Sequence, residues 1–260
     1  MNSNIIRKVF LIFLVILLLN EVKAQKKNIS VVKDSATSLI SLSAVYGYQY
    51  PGHDMANRFL SNNSIGAGLL FKNKMNWIFE IEGSYIFRDT LKQTNLFSSI
   101  STSDDNIIDA NGMYAEVFAR ERGFTLYGKV GKILPVLNIN PNSGPFIMVG
   151  AGCLEHKIDI VVTDNSAPQL SKEYKKGYDR LTFGPSFSES IGYIYYGKRR
   201  LINFFAAIEF NQAFTKNLHN FDYNTGMTDN SKRYDTLWGF KVGWMINLYR
   251  QKPYKDSFYF

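Results

Sequence analysis

Trp238-Gly239-Phe240-Lys241-Val242-Gly243-Trp244-Met245-Ile246-Asn247-Leu248 is the stretch whose reading decides the fold. Trp238, Phe240, Val242, Trp244, Ile246 and Leu248 alternate with small or polar residues. A period of two belongs to an extended strand with one apolar face. A tilted strand needs about 9 to 11 residues to cross a bilayer, and this segment has that length. The apolar set is expected to face lipid, and the set containing Lys241 to face a lumen.

Working outward, the same alternation recurs. Ile202, Phe204, Ala206, Ile208 and Phe210 alternate with Asn203, Phe205, Ala207, Glu209 and Asn211. Trp77, Phe79, Ile81, Tyr85 and Phe87 oppose Glu80, Glu82, Ser84 and Arg88, while Ile40, Leu42, Ala44, Tyr46, Tyr48 and Tyr50 oppose Ser41, Ser43, Gly47 and Gln49. Further strands are expected at Ile65 to Lys72, Phe124 to Ile133, Phe146 to Ile158 and Leu181 to Tyr196. In the last of these the register carries Glu189 toward lipid. A bulge at Gly184-Pro185, where a ladder donor is missing, is expected to turn Glu189 inward; the alternative places it near an interface.

The gaps between segments alternate in length: 51 to 64, 89 to 123, 159 to 180 and 212 to 236 are long, whereas 73 to 76, 134 to 145 and 197 to 200 are shorter. Barrels of outer membranes alternate long outer loops with short inner turns, and an even strand number returns both termini to the periplasmic side. Aromatic girdles are expected from Tyr46, Tyr48, Tyr50, Tyr85 and Trp238 at the outer ends, and from Trp77, Tyr195, Tyr196 and Tyr249 at the inner ends. Met113 to Arg120 is expected to form a short helix or to extend a hairpin above the membrane.

The N-terminus reads as an export signal. Arg7 and Lys8 precede the apolar run Val9 to Leu19, whose 11 residues fall short of the roughly 20 of a spanning helix, and Ala24 offers a cleavage point. No cysteine follows it to accept lipid. The expected organisation is a signal peptide at 1–24, a periplasmic segment at 25–37, a barrel at 38–249 and an aromatic-ended tail at 250–260. The fold class is therefore all-β: an eight-stranded, up-and-down, antiparallel transmembrane barrel. With 30 Lys+Arg against 22 Asp+Glu, and no basic cluster beyond Lys198-Arg199-Arg200, the chain offers no nucleic-acid footprint. Outer-membrane lipid and lipopolysaccharide are the expected counter-surface. The single cysteine, Cys153, excludes an internal disulfide and reads as a small buried or lipid-facing residue.

Candidate chemistry is sparse. Lys72, Glu80, Glu82, Arg88, Lys129, Glu155, Lys157, Glu209 and Lys241 are assigned inward, and Glu80, Glu82, Arg88, Lys129, Glu209 and Lys241 are expected to form an interior charge network. Eight strands leave room for little more than side chains, so a register-holding plug is favoured over a gated ion path. His53 and His219 lie in outer loops where a lipid-modifying enzyme would carry its base, but neither adjoins a serine in sequence. His156 reads as a barrel-wall residue. Asp104, Asp105, Asp109 and Asn111-Gly112 resemble fragments of a calcium loop without its closing glutamate, and a solvated turn is the favoured reading. No cofactor and no metal are expected.

Three stretches carry a family resemblance: Val22-Lys23-Ala24-Gln25, Asn76-Trp77-Ile78-Phe79-Glu80-Ile81-Glu82-Gly83, and the closing hairpin from Lys232-Arg233-Tyr234-Asp235 to Gly243-Trp244, with terminal Phe258-Tyr259-Phe260. With these the chain resembles the uncharacterised or PorT-like outer-membrane β-barrels of Bacteroidota, eight-stranded and OmpA-like. The resemblance implies fold and location: a non-enzymatic barrel with a structural or protein-interaction role, some similar barrels serving type IX secretion or surface assembly. Partner contacts are expected at loops 89–123 and 212–236. The alternatives are an outer-membrane lipid-modifying enzyme and a narrow channel. In this family pattern the terminal aromatic closes the last strand, whereas here Arg250 to Ser257 intervene.

Overall fold

The computed structural model describes residues 36–197, 202–219 and 221–248; the expected leader, Tyr249 and the aromatic tail lie outside them. Eight long strands close a barrel: β1 (Leu39–His53), β2 (Asn62–Lys72), β3 (Trp77–Arg88), β4 (Val117–Ile133), β5 (Gly144–Val162), β6 (Thr182–Tyr196), β7 (Asn203–Asn217) and β10 (Lys232–Asn247). Between β7 and β10 sits a two-stranded ribbon, β8 (Phe221–Asp222) with β9 (Met227–Thr228). Every barrel strand pairs antiparallel with its sequence neighbour, and β1 closes on β10 with Ser43 opposite Met245 and Tyr50 opposite Trp238. Both described barrel ends lie at the turn end, where the Leu248 N–H donates to Ile40 O at 2.7 Å.

The outer surface carries the apolar set. Trp238, Phe240, Val242, Trp244 and Leu248 are exposed, as are Ile202, Phe204 and Ile208, while Ile246 and Phe210 are half-buried on the same face. Phe240 is 57% exposed and Ile81 63%. Soluble monomers rarely expose contiguous apolar patches above a few hundred Å², so this belt is built to face lipid. Tyr50 stacks on Trp238 with centroids 4.8 Å apart, and Lys132 lies over Trp77 at 5.4 Å, as side chains at the two rims would. Tyr196 departs from the expected girdle. It points inward and is buried, because Tyr195 takes the outward position of the alternating pair.

The strands are longer than the sequence pattern implied. β4 starts at Val117 rather than Phe124, β5 runs to Val162, and β7 continues to Asn217. The wall therefore stands above the apolar belt, and residues Val117 to Arg120 extend a hairpin rather than form a helix. Glu155 and Lys157, expected inside, point outward: Leu154, His156, Ile158, Ile160 and Val162 take the inward places. Above the belt the outward places of β5 face water, which makes charge there inexpensive.

The expected bulge at Gly184-Pro185 does not occur. Cys153 pairs with Pro185, Leu154 with Gly184 and Val149 with Glu189 in one unbroken register, so Glu189 stays on the lipid side between Phe187 and Ile191. Pro185 is accommodated without an inserted residue: pairing with β7 lapses at Gly184 and Pro185 and resumes at Ser186 opposite Ala213 in the same register.

Inside, the order of inward residues along each strand stacks three layers. From the turn end, β7 presents Phe205, Ala207, Glu209, Asn211 and Ala213, and β3 presents Ile78, Glu80, Glu82, Ser84 and Ile86. An apolar layer at the turn end contains Leu70, Ile78, Phe146, Met148, Phe205 and Met245. A charged layer follows, and a second apolar core closes the loop end. Close fits lock this stacking: a Cβ on Gly243 would lie 2.2 Å from the Phe205 ring, and one on Gly68 would lie 3.0 Å from Glu80 Oε1.

Candidate functional site

The charged layer joins five of the six residues assigned to it. Lys129 Nζ donates to Glu82 Oε2 at 3.1 Å and Glu209 Oε2 at 2.7 Å, and Lys241 Nζ donates to Glu82 Oε1 at 2.6 Å and Glu209 Oε2 at 2.5 Å. Each ammonium is shared by two carboxylates and each carboxylate by two ammoniums. Ser84 Oγ donates to Glu82 and Asn211 Nδ2 to Glu209. Glu80 sits beside the quartet with Oε1 unpartnered. A cavity of about 10 Å³ lies among these side chains, about the room one water needs. Such a cluster holds strands in register, since four strands contribute one charge each.

Arg88 is not part of it. Six residues beyond Glu82 on β3, it stands about 20 Å further along the barrel at a strand rise of about 3.3 Å per residue. There its Nη1 donates to Ser61 O at 2.5 Å and its Nε to Thr90 Oγ1 at 3.0 Å. Lys72, also assigned inward, is fully buried at the turn end, where it donates to Thr37 O, Asn73 O and Asn142 Oδ1 rather than to a carboxylate.

The loop end is a packed crown. Loop residues Met55, Phe59, Leu96, Ile107, Ala167, Leu170 and Tyr178 are buried together with Ile86, Leu154, Ile158 and Leu237 of the wall. At roughly 25 cal/mol per Å² of apolar area, a core of this kind holds the first three loops over the bore. The sequence contained a signal for it, in apolar residues such as Met55, Phe59, Leu96, Ile107 and Leu170 scattered through the long gaps between strands.

The three histidines fall in different surroundings. His53 Nδ1 lies 3.1 Å from Thr236 Oγ1, with its ring edge-on to Tyr234. His219 Nδ1 lies 2.9 Å from Asp179 Oδ1 and 2.9 Å from Lys176 O. Burial raises the Asp179 carboxyl pKa, opposed by the backbone N–H of Leu181 and by His219. Among the described residues neither histidine meets a hydroxyl and a carboxylate together. His156 does: its Nε2 is 3.0 Å from Asp235 Oδ2 and its Nδ1 3.2 Å from Thr182 Oγ1, while Thr215 Oγ1 donates to the same Asp235 oxygen at 2.5 Å. This group is fully buried under the ring of Phe59, so no substrate reaches it. It ties β5, β6, β7 and β10 together, and sequence reasoning missed it because the partners are 20 to 79 residues apart.

Asp109 accepts the backbone N–H groups of Asn111 and Met113, each at 2.8 Å, and these bonds, with Met113 contributing most, hold its carboxyl below the usual range. That is a solvated turn. Among the described residues no group of three or more His, Cys, Asp or Glu could hold a metal. Cys153 is free and half-buried on the outward face.

All four loops and the adjoining strand ends also line a pocket of about 550 Å³ in the crown. Its wall includes Asp54 and Arg58 of the first loop, Gln93 of the second, Arg180 of the third, and Lys232 and Arg233 at the end of the fourth. Arg180 is held by Asp222 at 2.9 Å and Gln93 at 2.9 Å, and Arg233 by Asp229. Among the described residues no carboxylate within salt-bridge distance holds Arg58 in this way. Arg58 is 7% exposed, and its Nη1 is buried without a hydrogen bond. Burial, and then the Arg233 guanidinium, lower its pKa to about 10, which still leaves it a cation at neutral pH.

No family model and no curated protein matches the chain. Similar solved structures include Ail, the attachment invasion locus protein of Yersinia pestis, in complex with the heparin analogue sucrose octasulfate. It is 9% identical with a TM-score of 0.41, the match covering 81% of this chain and 99% of that one. The outer membrane protein OprG from Pseudomonas aeruginosa is 11% identical with a TM-score of 0.35, covering 82% of this chain and 98% of that one. Similarity at this level carries no functional argument.

Proposed function

We propose that this chain is an integral outer-membrane β-barrel of a Gram-negative bacterium that works by interaction at its loop crown, and is neither an enzyme nor a channel. The observation that carries this is the bore: a charged layer sealed between apolar layers at the turn end and the loop end. An ion entering from either side would have to shed hydration at one of these apolar clusters before it reached the charged layer. Against catalysis, the histidine that meets both an acid and a hydroxyl is buried, and among the described residues the other two do not meet both.

An export leader at 1–24, periplasmic termini, lipopolysaccharide contact on the belt, protein partners at loops 89–123 and 212–236, and membership of the PorT-like barrels of Bacteroidota belong to the same proposal. They rest on the residues quoted for them above. A role beside secretion or surface-assembly machinery fits a crown that is ordered by its own core.

Crosslinking in native outer membranes followed by mass spectrometry is expected to return recurrent protein partners attached through loops 2 and 4. Reconstitution in planar bilayers is expected to give no stepwise conductance. Steady ion-selective openings, or crosslinks confined to lipid, would overturn the reading.

A further inference from the structure

We infer that the crown pocket is a binding site for a phosphate-bearing anion, with Arg58 as its anchor. Four cationic side chains, Arg58, Arg180, Lys232 and Arg233, line about 550 Å³ of space against one carboxylate in the wall, Asp54. The Asp54 carboxylate is itself engaged, accepting the Tyr234 N–H at 2.8 Å.

The arginines are not equivalent. Arg180 and Arg233 are oriented by Asp222 and Asp229, which fix their planes while leaving Arg180 Nε and Arg233 Nη1 buried without partners. Among the described residues Arg58 Nη1 has no acceptor: Asp235 and Asp229 are near enough to favour the Arg58 charge, but the hydrogen bonds they accept come from His156, Thr215 and Asn217 and from their own neighbours. A buried donor without an acceptor is costly, and a buried cation more so. An oxyanion bound in the pocket would remove that cost. Guanidinium groups present paired N–H donors whose spacing matches phosphate oxygens, which favours a tetrahedral oxyanion over halide.

The volume admits more than one phosphate, within the range of small-molecule sites. Residues from all four loops and their strand ends form the wall, so the site opens above the bore. Its ligand comes from the medium or from a phosphate carried by outer-leaflet lipid that reaches over the rim. The chemistry is shared; the source is separable by experiment.

The full chain folded in zwitterionic nanodiscs is titrated with inorganic pyrophosphate at low salt, with heat-modifiable gel migration as the folding check. Saturable one-site binding is expected. Arg58→Gln is expected to weaken it about tenfold or more, the loss of a charged hydrogen bond. Lys232→Gln, at an exposed position on the wall, is expected to weaken it by about threefold as the loss of an exposed charge contact. Lys74→Gln, exposed in the turn at the opposite end, is the unchanged control. Repeating the titration in discs containing lipid A distinguishes sources: a lowered apparent pyrophosphate affinity identifies lipid-borne phosphate as ligand, and an unchanged one identifies a soluble phosphate ester. No saturable binding in the zwitterionic discs, or Arg58→Gln and Lys232→Gln binding both equal to the parent, would overturn the inference. If Arg58→Gln fails to fold, Lys232→Gln alone decides.

Discussion

Replacing Lys241 with Met tests whether the charged layer is a structural clasp. Lys241 Nζ touches Glu82 and Glu209 at 2.6 and 2.5 Å, and its side chain is 6% exposed beside carboxylates that are 2% and 4% exposed. Met fills nearly the same volume, so little cavity cost is added. What changes is charge: two carboxylates now share Lys129 alone, and Glu80 sits beside them. Breaking a buried pair by removing one partner costs about 3 to 5 kcal/mol. Lys216→Met, outward at the loop end of β7, is the matched control, with an expected effect within about 0.5 kcal/mol. The assay is reversible urea unfolding in phospholipid vesicles, read by tryptophan emission, because Trp77, Trp238 and Trp244 all lie on the lipid-facing surface. Adding Glu82→Gln to Lys241→Met is expected to recover part of the loss, since it removes the charge left without its partner. A loss below about 1 kcal/mol for Lys241→Met, or a double variant whose loss equals the two single losses added, would refute the clasp.

Gly243→Val is expected to abolish refolding, measured as loss of the heat-modifiable band, because a Cβ there meets the Phe205 ring at 2.2 Å. Glu189→Leu is expected to stabilise the barrel in vesicles by about 1 to 2 kcal/mol, since a charge on the lipid face near mid-belt is unfavourable and carboxylates cost less than lysine or arginine; destabilisation in urea unfolding would instead assign Glu189 a partner. Burial alone would raise the Asp229 carboxyl, but hydrogen bonds from Ser231 and the Arg233 charge hold it down at about 2. Its folded pKa is below the usual 3.8, so its contribution to the fourth loop is present above about pH 4 and is lost as pH falls toward 2. Pepsin nicking of residues 218–231 is expected to rise across that window in the parent, and Asp229→Asn is expected to be nicked at a rate that no longer changes with pH there.

Much of the barrel was legible because period-two alternation is a local property. Trp238 to Leu248 names its own lipid face, and Glu80, Glu82, Lys129, Glu209 and Lys241 fall inward by parity alone. Parity does not say how far along the axis a residue sits, which is why Arg88 was grouped with charges three inward positions away. Nor does it say where the wall rises out of lipid, which is why Glu155 and Lys157 were placed inside. The bulge expected at Pro185 came from treating a missing donor as a break in register. The pairing is continuous against β5 and resumes in the same register against β7 beyond Gly184 and Pro185, so the local loss does not shift the strand.

The sequence by itself determined an eight-stranded antiparallel wall with an apolar outer surface, because each strand must satisfy its own alternation before it meets a neighbour. Only the tertiary structure decided which inward residues share a level, and hence the sealed three-layer bore, the His156–Asp235–Thr182 tie and the arginine pocket. Those depend on register between strands and on loops distant in sequence folding over one mouth. The reason is geometric: alternation fixes a side chain's direction, whereas its neighbours are fixed only when the barrel closes.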